Sequence, residues 1–292
     1  MENLLDHRLT TLMVVAQTGS LTAAAQQLFI TQPAVSQQLA SLEADLDVPL
    51  LVHHGRRVKL TPAATELVAY AKRLGQDNQA VLKRLRLAQT PPLRLGATRS
   101  LGAFLLPQLL AKVIAAGYQL EVTIENTAVL SQQLLAGQLD AALIEGNYSR
   151  QDFAAAPLGS APFIGVTAQV EAPATLPALF DQLLIVREAG SGTREILTTW
   201  LAAHNAQLSD FRQILALSSP TAIIELLKQG VVGISFMYRA LVANELARGD
   251  LFELPLAGFP LEHPLNLIYL KESSFAAEFG PLVVTAREML GN

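Results

Sequence analysis

Residues 19–64 read GSLTAAAQQLFITQPAVSQQLASLEADLDVPLLVHHGRRVKLTPAA, and this stretch decides the fold of the N-terminal part. Ser20 is a good N-cap for a short helix carrying Leu21, Ala24, Ala25 and Leu28. The small run Ala23, Ala24, Ala25 lets another helix cross closely. Thr31 caps the next helix, with Pro33 tolerated in its first turn. Along it Val35, Leu39, Leu42 and Leu46 fall at spacings of four, three and four, which predicts one buried stripe. Opposite the stripe lie Pro33, Ser36, Gln37, Ala40 and Ala44, with Gln32 at the edge. None carries a charge, whereas an ordinary solvated face would carry Lys and Glu. Gln pairs with adenine edges, Ser with several bases, and Pro and Ala can touch a thymine methyl. Two short helices around a tight turn are the helix-turn-helix pattern. Upstream, Leu5, Leu9, Leu12, Met13 and Ala16 recur at helical spacing, giving a preceding helix that ends near Thr18-Gly19.

Downstream, residues 52–60 (VHHGRRVKL) read as two short strands around a glycine turn. Val58 and Leu60 point inward, while Arg57 and Lys59 point outward. Such a basic hairpin is a wing able to grip phosphates or enter a minor groove. Thr61 then caps and Pro62 opens a helix expected to run to about Ala88. Leu67, Leu74, Val81 and Ala88 recur every seven residues, flanked by Ala71, Asn78 and Leu85. One helix cannot bury that seam alone, so a partner helix is expected. Lys72, Arg73, Lys83, Arg84 and Arg86 make it basic. A dimer through it would present two recognition helices to a two-fold DNA site.

Charge is distributed in the same sense. The 292-residue chain has a net charge of −4, but residues 1–90 hold nine Lys/Arg against seven Asp/Glu. Residues 91–292 hold twelve against eighteen. The seam lies at Thr90-Pro91-Pro92, where prolines stop a helix. There are no cysteines, so disulfides and thiolate metal sites are excluded. No apolar run reaches the roughly 20 residues of a membrane span. MENLLDHRLT lacks a secretory-signal pattern, so a cytoplasmic protein with no membrane partner is expected.

From Leu93 onward short apolar strands alternate with helices: strands at 93–97, 120–124 and 141–144, and helices at 101–115 and 129–136. This predicts parallel α/β units, which bind ligands at the carboxyl ends of their strands. The loops there hold Thr98, Arg99, Ser100, Asn126, Thr127, Glu145, Gly146 and Asn147. A further strand at 183–186 feeds REAGSGTR (187–194) and then a helix through Ile196, Leu197 and Trp200. Backbone N–H groups at such a helix start, with the Ser191 and Thr193 hydroxyls, suit an anion. Arg187 or Arg194 could add charge. The phosphate-loop pattern GxxxxGK[ST] is absent.

The run from residue 19 to 64 resembles the DNA-binding domain of LysR-type transcriptional regulators, closely over residues 5–88 and in outline beyond. The resemblance implies an α+β multidomain chain: a winged helix-turn-helix (1–61), a linker and dimerisation helix (62–90) and a periplasmic-binding-protein-like effector domain (91–292). That last domain would have two α/β subdomains, lobe I (93–163 and 269–292) and lobe II (164–268), joined by two crossing strands. Carried over, Gln32, Pro33, Ser36 and Gln37 would read bases, and Arg56, with Arg57 and Lys59, would hold the backbone. The effector cleft would comprise Thr98, Arg99, Ser100, Thr127, Glu145, Gly190, Ser191, Gly192 and Thr193. REAGSGTR is similar to members sensing small sulfur oxyanions, though relatives sensing other metabolites share it, so a small anion is expected and no other cofactor or metal. The implied partners are promoter DNA, the effector, RNA polymerase and the chain itself as dimer or tetramer. His53 stands where arginine is usual, Ala64 where glycine is common and Gln37 where many members have arginine.

An enzyme is disfavoured because the five histidines include no HExxH or metal-ligand spacing and no GxSxG is present. A solute-binding protein would suit residues 91–292 but not the first ninety.

Overall fold

The computed structural model describes residues 6–54, 57–86, 92–271, 273 and 276–291. The chain forms two compact units, with the seam along the chain between Pro91 and Pro92.

In the first unit, α1 (His7–Thr18), α2 (Leu21–Leu28) and α3 (Gln32–Leu46) are set by local signals. Gly19 in the left-handed conformation ends α1, while the Ser20 and Thr31 hydroxyls accept from the Ala23 and Ala34 amides to start α2 and α3. Leu12 and Val15 of α1, Ala24 and Ala25 of α2 and Val35, Leu39 and Leu42 of α3 form the core. Leu46 departs from the expected stripe: it is 45% exposed, because the last turn of α3 runs past the core. Leu5 lies outside the described residues.

The wing is an antiparallel pair, β1 (Leu51–His54) and β2 (Arg57–Leu60), registered Leu51 to Leu60 and His54 to Arg57. Val58 and Leu60 pack on the core, and Lys59 is exposed. α4 (Pro62–Arg86) follows, with the Thr61 hydroxyl accepting from the Ala64 amide. Ala64 and Val68 are buried in the core and Leu67 packs on it, so the opening turns of α4 rest on the helix-turn-helix. Ala71 is buried and Leu74 half-buried. The side chains of Arg73, Val81, Lys83, Arg84, Leu85 and Arg86, and residue Ala88, lie outside the description.

The second unit is built on β3 (Leu93–Thr98), α5 (Arg99–Phe104), α6 (Leu106–Ala115), β4 (Leu120–Glu125), α7 (Thr127–Leu135) and β5 (Ala141–Glu145). The single helix expected at 101–115 is two. It breaks at Leu105 because Pro107 cannot donate to the carbonyl four residues back and its ring crowds that group. The chain continues through β6 (Phe153–Thr167), α8 (Leu176–Leu179), β7 (Leu183–Arg187), α9 (Gly192–Ala203), β8 (Gln213–Leu217), α10 (Pro220–Lys228), β9 (Gly233–Tyr238), α11 (Ala243–Arg248), β10 (Phe252–Glu253), β11 (Leu261–Leu270) and α12 (Gly280–Met289).

The strands run in the order β4-β3-β5-β11-β6-β9-β7-β8. β3 pairs in parallel with β4 and β5, and β7 with β8 and β9. The long antiparallel pair β6 and β11 crosses between these halves: Phe163 faces both Leu261 and Tyr238, while Leu265 to Ile268 of β11 pair with β5. One apolar cluster runs through both halves, from Leu95 and Leu109 through Phe163 and Tyr238 to Trp200 and Leu256. A second, around Ile164, Ile185, Ile224 and Met237, lies in the β7–β9 half. Both parallel halves point the carboxyl ends of β3, β5 and β7 at one region, which places the loops that matter.

Candidate functional site

On α3, Gln32, Pro33, Gln37, Ala40 and Ala44 are exposed, and Ser36 is half-buried. The Gln32 amide donates to the Ser36 hydroxyl at 2.9 Å, so two of the expected base-reading side chains are already mutually oriented. Three polar ties that the sequence reading missed fix this helix. Arg8 of α1 donates to Ser41 at 2.9 Å and Asp45 at 2.5 Å, and the Thr11 hydroxyl donates to Gln38 at 2.6 Å. Glu43 accepts from the Leu50 and Leu51 amides at 2.7 and 3.1 Å, pinning the start of β1 to α3. These partners are far apart in sequence, and only the fold brings them together. Arg56 lies outside the described residues, as does the Arg57 side chain; Lys59 is exposed on β2.

In the second unit, the ends of β3, β5 and β7 bring together most of the expected cleft residues. Thr98, Ser100, Thr127, Glu145, Ser191 and Thr193 are all buried. The Thr98 hydroxyl donates to the Glu145 carboxylate, and Thr127 donates to the Glu145 carbonyl at 3.4 Å. Ser100 Oγ is buried without a well-formed hydrogen bond among the described residues, yet lies near enough to Glu145 to favour its ionised form. Burial pushes the Glu145 carboxyl up, and the Thr98 hydroxyl and the Arg187 charge offset this only in part.

The glycine loop meets these residues from the other half. Gly190, at φ +84°, lies against Ala128, and its carbonyl accepts from the Ala128 amide at 3.1 Å. A Cβ on Gly192 would fall 2.9 Å from the Glu145 carbonyl carbon, so only glycine lets α9 approach β5 this closely. Ser191 makes no side-chain cap bond to α9; its hydroxyl instead meets that of Thr193 at 2.9 Å. Ser191 therefore supplies no side-chain acceptor to the first-turn N–H groups of α9.

Charge in the cleft is more evenly matched than the sequence suggested. Arg99 donates to Glu188 at 2.5 Å and Glu125 at 2.7 Å, and Arg187 donates to Glu188 at 2.9 and 3.1 Å. Asn126 adds a 3.3 Å bond to the same carboxylate. Burial opposes ionisation of Glu188, but the Arg187 hydrogen bonds and charge outweigh it and hold the carboxyl below its usual range. Arg194 donates to the Arg187 carbonyl at 3.2 Å. Asn147 and Glu195 form a further bridge at 3.0 Å. Tyr238 and His263 were not anticipated: the hydroxyl and Nδ1 sit 3.3 Å apart, with burial lowering His263, and burial and then Glu145 raising the Tyr238 phenol.

Residues 7–65 match the bacterial regulatory helix-turn-helix protein, lysR family, and residues 88–283 match the LysR substrate binding domain. The chain belongs to the LysR family: it is a DNA-binding transcriptional regulator controlled by a small-molecule effector, in a family of oligomeric regulators rather than enzymes. It is 29% identical to the HTH-type transcriptional activator CmpR of Synechocystis, over 94% of this chain and 92% of that one. It is 30% identical to the uncharacterized HTH-type transcriptional regulator YeiE of Escherichia coli K12, over 82% of each. The fold is that of full-length LysG from Corynebacterium glutamicum, with a TM-score of 0.65 at 18% identity over 97% of this chain and 98% of that one. ArgP from Mycobacterium tuberculosis gives 0.64 at 20% identity, over 99% and 98%. No helix among the described residues is long and apolar enough to cross a membrane.

Proposed function

We propose that residues 1–61 read an operator through Gln32, Pro33, Ser36 and Gln37, with Arg56, Arg57 and Lys59 holding the phosphate backbone. Residues 62–90 pair two chains through α4, as dimers or as dimers of dimers, and residues 91–292 sense the effector in the cytoplasm. The observation that carries the DNA reading is the uncharged exposed face of α3, with Gln32, Pro33, Gln37 and Ala40, beside a wing whose Lys59 is exposed. The effector is a small anion, a sulfur oxyanion or a similarly compact one, held between lobe I (93–163 and 269–292) and lobe II (164–268). Thr98, Arg99, Ser100, Thr127, Glu145 and the loop Gly190, Ser191, Gly192, Thr193 hold it. Supporting this are the orphaned Ser100 hydroxyl and the uncapped start of α9 on the two sides of one cleft. Effector binding changes the interlobe contacts and, through them, the spacing of paired recognition helices and the access of RNA polymerase.

Fluorescence anisotropy on promoter DNA tests the division of labour. Gln37→Ala should weaken the cognate site by about 1–3 kcal/mol and relax specificity, whereas Lys59→Ala should weaken all sequences alike and reduce the salt slope by about one. Equal effects of the two variants on cognate and unrelated DNA would overturn the assignment.

A further inference from the structure

Resting on the reading of the cleft as an anion site, we propose that its effector is an oxyanion that still carries a hydrogen, and that Glu145 shares this hydrogen with it. Glu145 is 1% exposed at the end of β5, ringed by the hydroxyls of Thr98 and Ser100. The groups facing it from neighbouring elements are Arg187 on β7 and Tyr238 on β9, with His263 on β11 and Glu195 on α9 beyond.

Two of the nearby cations are already paired with carboxylates, while Arg194 is tied, among the described residues, only to the Arg187 carbonyl. Both Arg187 and Arg99 hold Glu188, and Arg99 also holds Glu125. A fully ionised oxyanion entering here would meet a buried carboxylate whose neighbours Arg187 and Arg99 are already paired, and like charges repel strongly away from water. One hydrogen between the two oxygens removes one negative charge. It also turns the repulsion into a charge-assisted O–H···O bond, the strong kind. This is how two acidic groups come to share a site. The upward push of burial on Glu145 favours the same state. No bond other than the shared O–H is made or broken: the proton comes from solvent or with the ligand and leaves with it.

The test is calorimetric titration of the full chain with sulfate, inorganic phosphate, sulfite and bicarbonate across neutral to mildly alkaline pH, each in two buffers of different ionisation enthalpy. Sulfate stays fully ionised throughout, and the other three carry or readily take up a hydrogen. The expected result is that at least one of those three binds at least about tenfold more tightly than sulfate. For phosphate or sulfite the affinity should fall about tenfold per pH unit on the alkaline side, with about one proton taken up per ion bound, whereas bicarbonate brings its own hydrogen and should bind without uptake and with little dependence on pH. In Glu145→Gln a permanent amide donor replaces the shared hydrogen, so sulfate should gain at least about tenfold and the proton uptake should vanish. Wild-type binding of sulfate as tight as the others, without proton uptake, overturns this proposal while leaving the anion reading in place. Failure of all four to bind overturns the anion reading itself. The wild-type titrations decide the matter even if the variant does not fold.

Discussion

Gly192→Ala is the substitution whose consequence the structure fixes most tightly. The added methyl would lie 2.9 Å from the Glu145 carbonyl carbon and 3.0 Å from its Cγ, and closer still to the carbonyl oxygen. Ordinary contact begins at 3.4 Å, so α9 and β5 must part by about 0.5 Å or more. Neither neighbour yields easily. β5 is buried at all five residues between β3 and β11, and α9 is anchored in the core through Ile196, Leu197, Trp200 and Leu201. Overpacking of this kind costs about 1–3 kcal/mol. In a unit of this size each kcal/mol lowers Tm by about 2–4 °C, so a fall of about 4–8 °C is expected for a penalty near 2 kcal/mol. The effector should bind more weakly too, because the parting occurs between its two walls. Thermal denaturation with and without effector measures both. Gly280→Ala is the matched control: Gly280 opens α12 with nothing within 4 Å of an added Cβ, so its Tm should be unchanged or slightly raised. A Gly192→Ala protein melting within about 1 °C of wild type would refute the close approach of α9 to β5.

Other substitutions test the DNA-binding unit and the buried carboxyl. Leu42→Ala should destabilise by about 2–5 kcal/mol, because Leu42 is 4% exposed, while Leu46→Ala should stay within about 0.5 kcal/mol; chemical denaturation separates them. Glu43→Ala leaves the Leu50 and Leu51 amides without their acceptor. It should cost about 1–3 kcal/mol and lower affinity for all DNA sequences, read by denaturation and anisotropy. Glu145 has a native carboxyl raised by burial, so the stability it contributes is complete below the ordinary glutamate range and is lost as pH climbs through the raised native value. Glu145→Gln should therefore melt higher than wild type at neutral pH and flatten that part of the Tm profile. An unchanged profile would mean that Glu145 is solvated.

The N-terminal half was legible because its signals are local. Ser20 and Thr31 act as caps where the sequence suggested, and the two strands read from VHHGRRVKL pair antiparallel. Periodicity alone does not show where the core ends: Leu46 continues the apolar stripe but lies at the surface. Pro107 stood in the sequence as a signal for the break between α5 and α6, but the apolar periodicity on both sides of it masked the signal. Thr98, Thr127 and Glu145 meet one another and the glycine loop in the structure, whereas their electrostatics were hidden in the sequence. The Arg99–Glu188 pair spans 89 residues and the Thr98–Glu145 bond 47, distances at which sequence spacing carries no information. Glu188 beside Arg187 was visible as a neighbour. Its role in binding Arg187, Arg99 and Asn126 at once depends on how the two halves meet.

The central claim, that α3 reads DNA sequence through an uncharged face, is tested most directly by selecting binding sites from a random duplex library with the full chain and with Gln37→Ala. The account predicts that wild type enriches a two-fold symmetric motif and that the variant loses discrimination at one position in each half-site while still binding DNA. Enrichment of the same motif by both proteins, or of none by wild type, would contradict it.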